Sequence, residues 1–285
     1  MTAWSGVGKG ATNRDEAWLQ SVMATTNSFY ADLAPIYHLI YPDWEASIER
    51  QATILDSAIR ELRPEAKTVL DVSCGIGTQS LGLAARGYEV TASDLSPEEI
   101  ERARKEAARR DLSIAFSVAD MRKAFVHHGR QFDVVLSCDN SVPHLLSNED
   151  ISAALRQFHD CLVPGGGCII TVRDYATEDL SQQQIKPYGI REEGGVRWII
   201  WQVWDPSPPN YRVSMYFVED RGEQGCTTHV ARSTYYAIEI ATLMDLMGKA
   251  GFVDVRRVDG KFFQPMLIGS KPAISGNGDR IPACV

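Results

Sequence analysis

Apolar residues at Ile48, Ala52, Leu55, Ile59 and Leu62 recur at helical spacing and stop at Pro64, which predicts an amphipathic helix ahead of the first strand. Short apolar runs follow at Thr68 to Val72, Glu89 to Ser93, Ile114 to Val118, Phe132 to Cys138 and Cys168 to Val172, separated by helical stretches. Such alternation predicts a mainly parallel sheet covered on both faces. Ile151, Ala154, Leu155, Phe158 and Leu162 mark the helix before the fifth run, and Val163-Pro164-Gly165-Gly166-Gly167 stops it. After Arg173 the period changes: Val196 to Trp204, Tyr211 to Glu219 and Thr227 to Tyr236 read as three strands of an antiparallel meander, joined by Pro- and Gly-rich turns. A last helix carrying Ile240, Leu243, Met244 and Met247 leads through Gly251 to Val253-Asp254-Val255 and then Phe262 to Ile268, two strands that close the sheet. The expected fold class is therefore α/β: a doubly wound, mainly parallel seven-stranded, Rossmann-like sheet with an antiparallel three-strand insertion after the fifth strand.

A chain of 285 residues with 44% hydrophobic content can bury one sizeable core and carry an inserted subdomain. Its formal charge of −8 disfavours a nucleic-acid groove. The one dense basic run, Arg102, Arg104, Lys105, Arg109 and Arg110, is interleaved with Glu98, Glu99, Glu101 and Glu106 and reads as a solvated helix face. Six cysteines show no metal-ligand spacing, so reduced, mostly buried thiols and no metal are expected. No signal segment opens the chain, and its longest strongly apolar run, Trp198 to Val203, is too short to span a bilayer. The expectation is a cytoplasmic protein with neither nucleic-acid nor membrane partners; homo-oligomerisation stays open.

The chemistry concentrates at Val69-Leu70-Asp71-Val72-Ser73-Cys74-Gly75-Ile76-Gly77-Thr78, where an apolar strand ends in a carboxylate just before a glycine turn. A dinucleotide pyrophosphate would be repelled by Asp71 and normally needs a third spaced glycine, where this chain has Ser80. S-adenosylmethionine carries a sulfonium, an ammonium and no phosphate, so Asp71 suits its amino end while Gly75 and Gly77 permit close backbone approach. Taken alone the turn also fits an ordinary tight turn. Asp94, ending the second strand, is the expected ribose ligand, with helix-dipole or turn chemistry as the alternative. Ser96-Pro97-Glu98-Glu99 then supplies an N-cap, a first-turn proline and the reciprocal glutamate of a capping box.

With these segments in order, residues 26 to 272 resemble class I S-adenosylmethionine-dependent methyltransferases. Phe29-Tyr30-Ala31-Asp32-Leu33-Ala34, Tyr37 to Trp44, Cys74 to Gln79 and Phe263-Gln264-Pro265 are most similar to the bacterial glycine and sarcosine N-methyltransferase group. The ends (1–25, 273–285) read as flexible from their Gly, Ser, Thr and Asn content, and the resemblance implies a helical lid (26–63), a cofactor-binding core (64–174), an insertion over the active site (175–236) and a completing segment (237–272). It further implies that Tyr30, Tyr37 and Arg50 approach the methionine end, that Leu95 accompanies Asp94, and that Asp120 and Met121 receive the adenine. Cys138 would back the adenosine, His144 would lie beside the sulfonium, and Tyr41, Asp139, Asn140, Arg173 and Tyr175 would meet the acceptor, with Asn140, His144 and Arg173 as the catalytic candidates. Each has a plainer account: packing for the tyrosines, a surface cation for Arg50, a strand-end turn for Asp120, a structural hydrogen bond for His144, and a salt bridge to Asp174 or Glu178 for Arg173. Asp139 departs from the family pattern, which has a glycine there.

The expected activity is methyl transfer to a small-molecule acceptor, the nitrogen of an amino acid or amine that bears a carboxylate for Arg173. O- or C-methylation of a secondary metabolite is the near alternative, and a non-catalytic S-adenosylmethionine sensor the more distant one. Trp198, Trp201, Trp204, Tyr211 and Tyr216 enrich the insertion in aromatics, for ligand contact or for strand packing.

Overall fold

The computed structural model describes residues 33–273, so Tyr30 lies outside the described residues. In chain order, α1 (Trp44–Leu62) precedes β1 (Thr68–Asp71), α2 (Thr78–Ala85), β2 (Glu89–Asp94), α3 (Pro97–Arg109), β3 (Ala115–Val118), α4 (Ala124–His128), β4 (Phe132–Ser137), α5 (Asn148–Asp160) and β5 (Leu162–Thr171). A meander of β6 (Gln184–Glu193), β7 (Val196–Ser207), β8 (Asn210–Asp220) and β9 (Cys226–Tyr236) follows, then α6 (Ile240–Lys249), β10 (Val253–Val258) and β11 (Met266–Ser270).

The main sheet has seven strands in the order β10-β11-β5-β4-β1-β2-β3. β1 pairs in parallel with β2 on one side and β4 on the other, so chain order reverses beside β1, the place where open α/β sheets bind ligands. Helices cover both faces: α5 and α6 bring Ile151, Leu155, Phe158, Leu243 and Met247 to one core, while α1, α2 and α3 bring Leu55, Ile59, Leu83 and Ile100 to the other. α1 buries Ile48, Ala52, Leu55 and Ile59, the stripe its periodicity predicts. Where α1 crosses α2, a Cβ on Gly82 would stand 2.5 Å from Ala52 Cβ, so glycine sets that approach.

The insertion contains the three expected strands and a fourth, β6, at the edge. Pro187 and Gly189 obscure β6 in the sequence; the ladder accommodates them at a register shift on an unpaired edge. Residue parity divides the aromatics. Trp204 and Tyr211 point inward to the main core, Trp198 packs with Leu39 and Ile40 of the 3₁₀ turn Tyr37–Ile40, and Trp201 stacks on Tyr216 on the opposite face at 5.1 Å. Only the first pair approaches the strand-end site. No helix among the described residues is long and apolar enough to cross a membrane, and no group of His, Cys, Asp and Glu among them could hold a metal ion.

Candidate active site

The ends of β1, β2, β3 and β4 open into a cavity that Tyr37 and Tyr41 also line. At its centre Gly75 and Gly77 take φ values of +52° and +96°, the left-handed conformations the turn after β1 requires. Gly75 N–H donates to Asp94 Oδ2 at 2.9 Å and Ser96 N–H to Asp94 Oδ1 at 3.0 Å, so Asp94 ties two strand-end turns together. Burial raises its pKa against these donors. Asp71 is 1% exposed. Ser80 Oγ donates to its Oδ2 at 2.7 Å and Ser73 N–H to its Oδ1 at 3.3 Å, while burial pushes the carboxyl up to about 7. Ser80 thus occupies the missing glycine's position as a buttress for the strand-end acid.

At one end Met121, Leu95, Leu145 and Leu146 form an apolar wall. Asp120 accepts from Arg122 N–H at 2.9 Å and pairs with its guanidinium at 2.7 Å; Arg122 also reaches Asp150 at 3.0 Å. Burial pushes Asp120 up, but the Arg122 hydrogen bonds outweigh it and hold the carboxyl below its ordinary range.

At the other end Asp139 and Asn140 both take left-handed φ, +58° and +64°, as β4 turns outward. Tyr41 OH donates to Asp139 Oδ2 at 3.2 Å, and burial raises Asp139 despite that bond and the charge of Arg173. Asn140, 4% exposed, accepts Arg173 N–H at 3.0 Å on Oδ1, while its Nδ2 donates to Tyr175 OH at 2.8 Å. Its amide therefore knits the ends of β4 and β5 together. Arg173 lies 4.4 Å from the Trp204 ring centroid and donates to Tyr211 OH at 3.2 Å. The expected alternatives of a salt bridge to Asp174 or Glu178 are not formed: Asp174 pairs with Arg257 and Glu178 with Lys186. His144 sits against Tyr235, ring centroids 4.0 Å apart, with Nδ1 3.3 Å from Ser233 Oγ. Burial lowers it to about 3, so the ring is neutral and a poor base.

Of the candidates, Tyr37, Tyr41, Gly75, Asp94, Leu95, Asp120, Met121, Cys138, Asp139 and His144 line the cavity. Asp71 and Gly77 flank its glycine turn, and Asn140, Arg173 and Tyr175 form a hydrogen-bonded group with Tyr211. Arg50 is not among the residues that line the cavity. It is on the exposed side of α1, donating to Ser47 Oγ of its own helix at 3.1 Å, because the buried stripe runs through Ser47, Ile48 and Gln51. Sequence reasoning missed Arg122 and Asp150 as wall residues, Tyr188 and Tyr235 near Arg173, and the Glu99 carboxyl. Only Glu99 carried a signal, as an acid five positions after Asp94.

A family model described as "Methyltransferase domain" matches residues 69–166. The chain is 36% identical over 137 residues to a glycine/sarcosine N-methyltransferase of Parasynechococcus marenigrum, covering 47% of this chain and 46% of that protein. It is 30% identical over 142 residues to a dTDP-3-amino-3,4,6-trideoxy-alpha-D-glucopyranose N,N-dimethyltransferase of Streptomyces venezuelae, covering 50% and 57%. These matches span about half the length of the relatives. The crystal structure of Streptomyces venezuelae DesVI superposes with a TM-score of 0.73 at 22% identity, over 85% of this chain and 98% of that one. Residues 69–166 are accordingly a methyltransferase domain, set in the class I S-adenosylmethionine-dependent methyltransferase fold.

Proposed function

We propose that the protein is an S-adenosylmethionine-dependent methyltransferase whose acceptor is the nitrogen of a small amine bearing a carboxylate. The cavity suits that cofactor: the buried carboxyls of Asp71 and Glu99 and the half-buried one of Asp94 surround the glycine turn, fit for an ammonium and hydroxyls and hostile to a pyrophosphate. Asp71 would hold the amino end, Asp94 the ribose, and Met121 with Leu145 and Leu146 the adenine. When bound, the cofactor supplies a methyl group on a sulfonium, already an activated leaving group.

The observation that carries the acceptor is Arg173. No carboxylate among the described residues lies within ion-pair distance of its guanidinium, which aromatic rings flank at the strand-end edge. An anionic group on the acceptor would complete it bidentately. A Lys-like amine of pKa near 10.4 loses roughly 4.6 kcal/mol in reaching its neutral form at pH 7, about 3.4 units at ~1.36 kcal/mol each. His144, held neutral with a pKa of about 3, is unsuited to taking that proton. Asp139 instead offers an anionic partner to positive charge developing on nitrogen, and alignment between the two ends can supply up to about 7–11 kcal/mol. We assign residues 37–41 and the inward face of the insertion to closing this end against water. The names of the matched relatives, which act on glycine, sarcosine or an amino sugar, agree with an amine acceptor. Trp204, Tyr211 and Tyr175 beside Arg173 favour a second reading, O-methylation of an aromatic acid.

The test is S-adenosylhomocysteine release with mass spectrometry of products across amino acids, amino sugars, simple amines and phenolic acids. Turnover on a carboxylated amine is expected. Turnover confined to phenolic acids would replace N- by O-methylation, and cofactor binding with no turnover would leave a sensor.

A further inference from the structure

The helix cap after β2 leaves unused the glutamate its sequence offers. Ser96 N–H goes to Asp94, and Ser96 Oγ accepts Glu99 N–H at 3.3 Å and donates to Glu98 at 3.2 Å. The Glu99 side chain instead turns into the cavity wall, 1% exposed, and its Oε1 has no hydrogen-bond partner. A buried polar atom left without a partner destabilises the free protein, which a helix cap or a core contact would not do.

We infer that Glu99 is a ligand-binding residue that acts with Asp94 to take the vicinal diol of a nucleoside ribose. The inference rests on the S-adenosylmethionine reading of the cavity. Both carboxyls converge on Gly75: its N–H donates to Asp94 Oδ2 at 2.9 Å, and a Cβ at that glycine would stand 3.4 Å from Glu99 Oε2. No cation among the described residues neutralises the pair. Arg102, one turn along α3, is engaged by Glu106 and by Pro35 O, and Glu98, bonded to Ser96, adds a further negative charge. The missing partners must therefore be donors brought by the ligand. Asp94 already carries a backbone donor on each oxygen and is fixed in place, whereas Glu99 Oε1 is unfilled. Two hydroxyls on adjacent carbons supply two donors at the spacing of neighbouring carboxyls, and each hydroxyl can also accept from a carboxyl that keeps its proton. A phosphate would be repelled by the same pair, and a single hydroxyl would leave one of the two acids unmet.

The experiment is calorimetric titration of the full chain and of Glu99→Leu and Glu99→Gln with S-adenosylhomocysteine and its 2′-deoxy and 3′-deoxy analogues, alongside thermal melts without ligand. The wild-type protein should lose about tenfold or more in affinity when either hydroxyl is removed. Glu99→Leu should bind S-adenosylhomocysteine about tenfold more weakly and discriminate against only one deoxy analogue, Asp94 still reading the other hydroxyl. Its ligand-free Tm should rise, because an unpartnered buried carboxyl is gone; a purely structural Glu99 would lower it. Glu99→Gln keeps the shape and should show a smaller loss in the same direction, which covers any disturbance of packing by Leu. Equal affinity and equal discrimination in both variants would overturn the inference and leave the cofactor reading standing. Failure of the wild-type protein to bind S-adenosylhomocysteine would overturn both.

Discussion

At the cofactor end of the cavity Asp71, Asp94 and Asp120 lie at a strand end or within one turn of it, and backbone amides a few positions away hold them. Ser73 N–H reaches Asp71, Ser96 N–H reaches Asp94 and Arg122 N–H reaches Asp120, each across two residues. At the acceptor end the partners are far apart in sequence and every contact uses a side chain: the Asn140 amide accepts Arg173 N–H across 33 residues, the Arg173 guanidinium reaches Tyr211 across 38, and Thr171 Oγ1 donates to Gln264 across 93. Backbone-held groups are fixed by local folding of the β1 and β2 turns. Groups held by one another depend on the insertion docking correctly, so a single change there propagates.

The sharpest way to break this comparison is Arg173→Ala. If the guanidinium receives only the acceptor, kcat/KM for the acceptor should fall roughly 30- to 1,000-fold, about 2–4 kcal/mol, while cofactor affinity stays within about twofold. Arg173→Lys should recover only part, because an ammonium lacks the planar fork and stacks less well on Trp204. Equal losses for acceptor and cofactor would merge the two ends into one unit.

Asn140→Ala comes next and tests whether the acceptor end is cooperative. Removing its amide strands Arg173 N–H and leaves the Tyr175 hydroxyl with Tyr211 alone, which should cost about 2 kcal/mol of stability in a denaturant melt and about tenfold in acceptor kcat/KM. Combined with Arg173→Ala, the further kinetic loss should be near zero, since Asn140 acts by positioning Arg173. Full additivity would mean that Asn140 touches the acceptor itself.

The cofactor end has its own handle in pH. Burial raises Asp71 to about 7 from an ordinary value near 3.9, so the folded, ligand-free protein holds this proton more tightly than the unfolded chain. That stability is fully present below about pH 3.9, declines as pH rises toward 7 and is flat above. Cofactor affinity runs the other way. An ammonium needs the carboxylate, so binding should weaken about tenfold per unit as pH falls below about 7 and level off above it. Calorimetry of S-adenosylhomocysteine at several pH values checks this, and Asp71→Asn should flatten the part of the slope that belongs to Asp71.

The same division explains what could be read from the chain. Asp71, Gly75, Gly77 and Asp94 are legible because strand, turn and helix start follow one another within a few residues, and apolar runs locate each strand end, whereas Met121 rests on the family resemblance. The seven-stranded sheet is legible for the same reason. β6 is not, since its Pro187 and Gly189 resemble a loop until β7 supplies the partner strand. Nor is the role of Asn140, whose bonds depend on where β5 ends relative to β4, or the division of the insertion's aromatics between two faces, which hangs on the register of β7 against β8. Glu99 was misread because a capping-box pattern fixes the order of residues, while the choice of Asp94 over Glu99 as partner of Ser96 N–H is made in three dimensions.

Arg50 gives the smallest expected effect and the finest check on where the cofactor end stops. Its guanidinium donates to Ser47 Oγ one turn back on α1, an exposed contact worth little. Arg50→Ala should therefore leave cofactor affinity and acceptor kcat/KM within about twofold, and stability within about 0.5 kcal/mol. A tenfold loss of cofactor affinity would show that the bound protein turns this helix face onto the ligand's carboxylate. The cofactor end would then no longer be purely local: it would depend, like the acceptor end, on segments distant in sequence closing over it, and the contrast between the two halves would be one of degree.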